Sequence, residues 1–333
     1  MTHFGVQLHG TFPMHHYPRL ARAVESYAFD ELTVHDIVWW RPVWPILALV
    51  AEHTERVLVG PDVTHPYLRH PADTAACLAG IDELSGGRAI LGLGAGSMLG
   101  PLGLAATRPT TAVRETAELI RRLLARDRAA YQGELFSADP QAQFFWEPAR
   151  PRVPIFVGTL GPRMVAEAAR WADELRPAGI FAPGFFRDLQ RRAREAAGWE
   201  AYPVGCEVWV SIADDREEAR ALGRRILAQF LALRVFEPQV AFFEVDPEEV
   251  RRVGEAMAEG DVDGAARQIS DGTLDTFVAS GSSRDVIAGL EGLLEAGPST
   301  VTFSGRLGPD PFRAIELLGG QVLPAVSPGR DKA

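Results

Sequence analysis

Three histidines stand where an apolar run gives way to polar residues. His9 follows Phe4-Gly5-Val6-Gln7-Leu8, His35 follows Leu32-Thr33-Val34, and His65 follows Val57-Leu58-Val59-Gly60-Pro61 and then Asp62-Val63-Thr64. Imidazole changes charge near neutral pH, so each can donate a proton or hold a polar ligand by hydrogen bonds. A metal centre needs more ligands than these. No His-x-His opens the chain and acidic partners are few, so no metal is expected. Asp36, beside His35, can accept from a ring N–H or a hydroxyl, or cap the following loop.

A second group is Gly158-Thr159-Leu160-Gly161-Pro162-Arg163-Met164. Pro162 suits the first turn of a helix, whose free N–H groups and positive end suit a phosphate, with Arg163 adding charge. A plain glycine turn has the same spacing. Gly94-Ala95-Gly96 reads either as a close ligand approach or as tight loop packing. Trp39, Trp40, Trp44 and Tyr67 can bracket a flat ligand or pack a lid.

These groups must be carried by repeating elements. Apolar runs and alternation predict strands at 4–9, 31–36, 56–60, 88–96, 153–158, 174–180, 206–212 and 300–303. Helical spacing fills the intervals: 17–28, 43–52, 70–84, 110–124, 162–171, 187–197, 214–235, 283–295 and 311–318. Tyr131-Gln132-Gly133-Glu134 reads as a hairpin turn, and 236–277 as a mostly helical, acidic insertion between strands seven and eight. Eight evenly spaced strand-helix units predict parallel pairing and closure into one (β/α)8 barrel domain over 1–333, with its site at the C-terminal strand ends. Pro61 has no N–H, so regular pairing of the third strand should stop there, in a bulge bearing Asp62, Thr64 and His65.

The 333 residues are 47% hydrophobic and 23% charged, which excludes disorder. A net charge of -10 without a basic block argues against nucleic-acid binding. Lys332 is the only lysine, so a Schiff-base lysine in the core is excluded. No apolar run is long enough to span a bilayer, and two distant cysteines, Cys77 and Cys206, suggest no disulfide framework. A cytoplasmic protein is expected.

The landmarks together resemble a known family, the luciferase-like flavin and deazaflavin barrel enzymes. They are Thr33-Val34-His35-Asp36 with Trp40-Arg41-Pro42, the run from Gly60 to Pro71, Asp82-Glu83-Leu84-Ser85-Gly86-Gly87-Arg88 before Gly92-Leu93-Gly94-Ala95-Gly96, the turn from Gly158 to Met164, Gly308-Pro309-Asp310-Pro311, and Val322-Leu323-Pro324. The branch most similar is that of coenzyme F420-dependent methylenetetrahydromethanopterin reductase. The resemblance implies a deazaflavin in the barrel mouth, backed by a non-prolyl cis peptide that falls at Asp62–Val63. By position the cofactor contacts carry over to Asp36, Asp62, Val63, His65, Ala95, Gly96, Leu160, Gly161, Arg163 and Met164. The family usually has a small residue where Asp62 stands. Relatives that oxidise sugar phosphates place a catalytic His after the strand-two Asp and a Glu after the strand-four Gly, where this chain has Ile37 and Ser97.

The implied activity is hydride transfer between coenzyme F420 and an unsaturated C=N, C=C or C=O carbon of a small molecule, with His35 and His9 as candidate proton donors. Two alternatives keep the barrel: an FMN-dependent monooxygenase, and a non-catalytic F420-binding protein. Members of the family are often dimers, so a homodimer belongs to the expectation.

Overall fold

The computed structural model describes residues 2–233 and 237–329. Its strands are, in order, β1 (His3–Leu8), β2 (Glu31–Val34), β3 (Leu58–Pro61), β4 (Leu91–Gly94), β5 (Tyr131–Gln132), β6 (Ser137–Ala138), β7 (Ile155–Gly158), β8 (Glu174–Leu175), β9 (Cys206–Ile212), β10 (Val278–Gly281) and β11 (Thr300–Leu307). Parallel ladders join β3, β2, β1, β11 and β9 in one run, and β4, β7 and β8 in another. Single pairs bridge the two gaps: Val59 with Ala89 and Thr64 with Leu93, then Leu175 with Val204 and Ala178 with Glu207. Eight parallel strands therefore close into a (β/α)8 barrel.

Side-chain alternation sorts each strand into two faces. Val6, Leu8, Leu32, Val34, Val59, Leu91, Leu93, Val208, Val210, Val301 and Phe303 are buried in the core shared with the helices. The opposite faces of the same strands turn inward and are polar: Gln7, Glu31, Thr33, Glu207, Thr302 and Ser304 are all buried and hydrogen-bond to one another or to neighbours across the barrel.

The helices start where local chemistry dictates. His70 caps Pro71–Leu84 by accepting from the Ala72 N–H at 3.2 Å, and Pro71 occupies the first turn, where no N–H is needed. Gly86 and Gly87 follow its end with φ of 67° and 90°, a conformation that favours glycine. The insertion is built of short helices, Glu237–Phe242, Pro247–Ala258, Val262–Gln268 and Asp271–Phe277. Asp246, Asp261 and Ser270 cap the last three with their side chains. Its expected first residue, Phe236, and the preceding helix end at Val235 lie outside the described residues, as does Lys332.

Two expectations are corrected. β10 was not foreseen; Val278-Ala279-Ser280-Gly281 is short, carries only one branched apolar residue, and pairs beside the outer half of β9. Pro61 does not end all pairing of the third strand. It is the last residue of β3 and sits opposite Val34, whose carbonyl takes the Asp62 N–H at 2.8 Å. Pairing lapses only on the other edge, toward β4, where Pro61 has no donor to give.

Candidate active site at the C-terminal mouth

The edge that lapses is a β-bulge. Between the Val59–Ala89 and Thr64–Leu93 pairs, the third strand carries one residue more than the fourth. The extra backbone is accommodated at Asp62–Val63, which is a cis peptide. Thr64 then re-enters the ladder, donating to Gly92 O and accepting from Gly94 N, both at 2.9 Å. Among the described residues nothing hydrogen-bonds the Val63 backbone N–H or carbonyl.

Glycines make the bulge possible. A Cβ on Gly94 would lie 2.6 Å from Val63 Cγ2, and one on Gly158 would lie 3.0 Å from Val63 Cγ1. The ends of β4 and β7 thus form a bare shelf on which the Val63 side chain rests. A Cβ on Gly60 would lie 2.0 Å from the Ile90 carbonyl oxygen. Gly96 has φ of 77°, and its absent side chain is replaced by the His65 ring, 2.9 Å from where a Cβ would stand. Both glycines are thus closely packed against side chains of the bulge. Ala95 lies between them, half-buried against the core.

Around the bulge the polar groups are held in place. Asp36 Oδ2 accepts from Thr64 Oγ1 at 2.8 Å and from Arg69 Nη1 at 3.3 Å. His65 is buried, accepts the Tyr67 N–H through Nδ1 at 3.3 Å, and stacks on the Tyr67 ring. Burial keeps its pKa below the usual histidine value, with Asp36 opposing. Thr64 belongs to the polar trio that the sequence places on the bulge; Arg69 is not among the site residues that the sequence singles out. The signal for Arg69 was weak, since it is one polar residue in a loop rich in them.

His9 and His35 meet, with ring centroids 6.0 Å apart, and Trp40 packs against both at 4.6 and 5.2 Å. Burial, with the His35 and Arg306 charges adding to it, lowers the pKa of His9 to about 3; burial alone lowers that of His35 to about 4. Both rings are therefore neutral at pH 7, and each keeps one N–H donor and one acceptor. His35 Nδ1 is buried without a hydrogen-bond partner among the described residues. His65 does not join this pair. Trp39 reaches instead to Met98 O at 3.0 Å, and Trp44 is buried in the core.

The turn after β7 is only partly as expected. Gly161 is the N-cap of the seven-residue helix Pro162–Ala168. Its N–H is already taken by Thr159 Oγ1 at 3.2 Å, and Pro162 has none, so fewer backbone donors are free there than the glycines suggest. Arg163 is exposed, whereas Leu160 and Met164 are buried in the core.

Asp62 presents only backbone to the mouth. Its side chain is 2% exposed and turns into the barrel, where Oδ2 accepts from Thr33 Oγ1 at 3.3 Å and its carbonyl accepts from Gln7 Nε2 at 2.8 Å. Gln7 also donates to Glu207 Oε2 at 3.2 Å, and Ser304 Oγ donates to Glu207 Oε1 at 2.6 Å. Thr33, Glu207 and Ser304 were not foreseen as site residues. Alternation carried the signal for Thr33 and Glu207, each a polar residue between two apolar ones, and more faintly for Ser304, which follows Phe303 but precedes Gly305.

A cavity of about 330 Å³ also opens at the opposite, N-terminal mouth, lined by His3, Glu31, Leu58, Phe156, Glu174 and Arg176 among others. Its wall includes the Arg176 ion pairs with Glu31 and Glu174, and none of the bulge residues.

A family model described as luciferase-like monooxygenase matches residues 1–300. The chain belongs to this family. It is 30% identical to a 5,10-methylenetetrahydromethanopterin reductase of Archaeoglobus fulgidus, over 94% of this chain and 95% of that one. It is 29% identical to an F420-dependent glucose-6-phosphate dehydrogenase of Nakamurella multipartita, over 92% and 90%. Among solved structures, the coenzyme F420-dependent tetrahydromethanopterin reductase of Methanopyrus kandleri superimposes with a TM-score of 0.89 at 26% identity, covering 98% of this chain and 99% of that one.

Proposed function

We propose that the chain is a coenzyme F420-dependent oxidoreductase that passes hydride between the deazaflavin and an unsaturated carbon, with a C=N substrate of the methylenetetrahydropterin kind favoured. The observation that carries this is the bulge: Val63, propped on Gly94 and Gly158, faces the mouth with its backbone N–H and carbonyl unpaired. A flat ring with a hydrogen-bonding edge fits such a surface. The orphaned His35 Nδ1 and the Asp36 carboxylate supply further polar contacts beside it. Relatives named for F420, the Nakamurella dehydrogenase and the Methanopyrus reductase structure, matched nearly end to end, support the choice of cofactor.

The cofactor would supply the hydride at its ring carbon. The chain's own residues do the rest. Val63 and the glycine shelf fix the plane on which a ring stacks, and holding donor and acceptor in contact is where most of the rate comes from. Asp36, braced by Thr64 and Arg69, and His65 border that plane. Ala95, Gly96, Leu160, Gly161, Arg163 and Met164 complete the cofactor site, with Arg163 placed for an anionic tail. Neutral His9 and His35 orient the substrate by hydrogen bonding. Burial disfavours imidazolium, so either ring starts neutral and can pass on its N–H proton only while taking one up at its second nitrogen, since imidazolate would otherwise form. Oxidation of a sugar phosphate is not part of the proposal: Ile37 is buried and apolar, and Ser97 offers no carboxylate base. Cytoplasmic location and homodimeric assembly are included in it, the former supported by the two unbridged cysteines.

The test is turnover. Reduced F420 is mixed with enzyme and a methylenetetrahydropterin, and the return of the oxidised deazaflavin absorbance is followed without oxygen. Steady, enzyme-dependent oxidation is expected. None with this substrate or with simple imines and enones would contradict the proposal.

A further inference from the structure

The mouth has a second irregular strand end. β11 is the eighth strand of the ring and β4 the fourth, so this end stands across the mouth from the glycine shelf. β1 and β11 pair in parallel from His3 with Thr300 to Val6 with Phe303. His9 and Arg306 lie equally far beyond that last pair, so the two chains leave the sheet side by side. There β11 breaks step. Its register with β9 shifts between Ser304 and Leu307, and Gly305 and Leu307 have φ of 97° and 63°. Arg306 is exposed at this kink, while Leu307 returns to the core.

The fold makes no use of that guanidinium. Among the described residues Arg306 has neither a hydrogen bond nor an ion pair. A second free cation stands on the other side of β1, after β2. The Arg41 backbone N–H donates to Gly10 O at 3.1 Å and its Nη1 to Thr11 O at 2.9 Å, and it is exposed with no carboxylate partner among the described residues. The segment from His9 to Thr11 thus runs between two guanidiniums. Acids carried by the same loops are engaged elsewhere: Asp310 caps the helix Pro311–Leu317, Asp214 pairs with Arg313, and Asp36 pairs with Arg69. In a chain with 44 acidic against 34 basic side chains, unpaired arginines on both flanks of one strand end leave a local positive field at the mouth.

We propose that this rim anchors the substrate through an acidic group, a carboxylate or a phosphate, held by Arg306 with Arg41 beside it. Guanidinium is always charged and offers a planar fork of donors that matches either oxyanion. The neighbouring rings bring hydrogen bonds and no charge. His9 is kept neutral by burial, by His35 and by the Arg306 charge, and the buried His35 Nδ1, unpartnered among the described residues, lies in a ring 6.0 Å from that of His9. Arg306 therefore sets the preference for an anion. The substrate class follows: an unsaturated compound that also carries an acid, its reacting carbon reaching across the mouth toward the Val63 seat. The assignment to substrate rests on the proposed function; the anion site does not.

Calorimetry of the full-length protein, with and without F420, tests both. The probes are cinnamate, styrylphosphonate and cinnamamide, which share a flat unsaturated skeleton and differ in charge. Wild type should bind the better anion at least about tenfold more tightly than the amide, and the better of the two anions distinguishes carboxylate from phosphate. Arg306→Gln should shrink that ratio to within about twofold, since the charged donor is gone. Arg128→Gln, in the exposed loop that follows the helix Pro109–Leu124, should leave it unchanged. Arg306→Lys keeps the charge but not the fork; it should retain part of the preference, and it takes the place of the glutamine variant if that one does not fold. No preference for an anion, or one that survives Arg306→Gln, would overturn the anchor. So would an equal loss in Arg128→Gln, which would reduce the effect to overall charge. If the anions compete with F420 and Arg306→Gln weakens F420 by the same factor, the arginine holds the cofactor's tail and the substrate assignment falls. An Arg306-dependent anion preference in a protein that does not bind F420 would instead refute the proposed function and leave the anion site standing.

Discussion

His9 and His35 sit at the ends of neighbouring strands, and the fold makes both of them poor bases. Their pKa values of about 3 and about 4 lie below the 6.5 of the unfolded chain. Between pH 4 and 6.5 the unfolded state binds more protons than the native one, so stability is full above pH 6.5 and declines as pH falls toward 4. For His35 alone the loss from pH 7 to pH 5 should be about 2 kcal/mol, read from urea unfolding at the two pH values. His35→Gln should flatten that limb, and an unchanged slope would count against a buried neutral ring. At the same scale, Asp36 links the second and third strands through Thr64 and Arg69. Thr64→Val should cost about 1 kcal/mol of stability and weaken F420 binding, because the Asp36 oxygen then loses a donor. The histidines were legible in sequence because strand ends collect polar residues. That their rings would be neutral was not, since burial depends on how the folded chain packs around them, Trp40 included, and the Arg306 charge that adds to it at His9 is brought in by the last strand.

Among the elements, the third strand and the two glycine ends beside it work together. Gly94 and Gly158 leave room for the Val63 methyl groups. Gly94→Ala would force a methyl to within 2.6 Å of Val63 Cγ2 and displace the bulge. Overpacking of this kind typically costs about 1–3 kcal/mol. F420 affinity should fall more than stability does, and a fully stable variant that still binds normally would show that the bulge is not the seat. The bulge was foreshadowed by Gly60-Pro61, which flags the break in pairing. Which edge would break was not readable, because a parallel strand alternates its hydrogen bonds between two neighbours, and the register decides which neighbour Pro61 faces. The turn after β7 shows the limit of motif reading: the glycine spacing was visible, but the Thr159 hydroxyl that takes the Gly161 N–H was not.

The barrel turns the apolar face of its strands out to the helices, and its inside holds a network of acids, amides and hydroxyls that includes Arg176. The ring of eight strands was legible because seven of its strands carry strong apolar runs separated by helical patterns. The sixth is short in the structure, two residues at Glu174–Leu175, and is completed by single pairs to β9. β10 escaped notice because four residues between two helices carry too little pattern. The polar interior follows from alternation, yet the network itself depends on partners as distant in sequence as Thr302 and Glu31. Two opposing pH dependences result at this scale. The buried imidazoles destabilise the fold as pH falls. Asp62, held above the usual carboxylate range, contributes stability at low pH that is lost as pH rises through its folded pKa. Asp62→Asn should remove the part of the stability loss that sets in as pH rises above the usual carboxylate range, as read from urea unfolding across pH.

The central claim is that the bulged third strand seats a deazaflavin. The most direct measurement is a side-by-side titration of the cofactor-free protein with F420 and with FMN, followed by fluorescence. Saturable binding of F420 with FMN clearly weaker is predicted, with the F420 signal reduced in Gly94→Ala. Tighter binding of FMN, unaffected by that substitution, would contradict it.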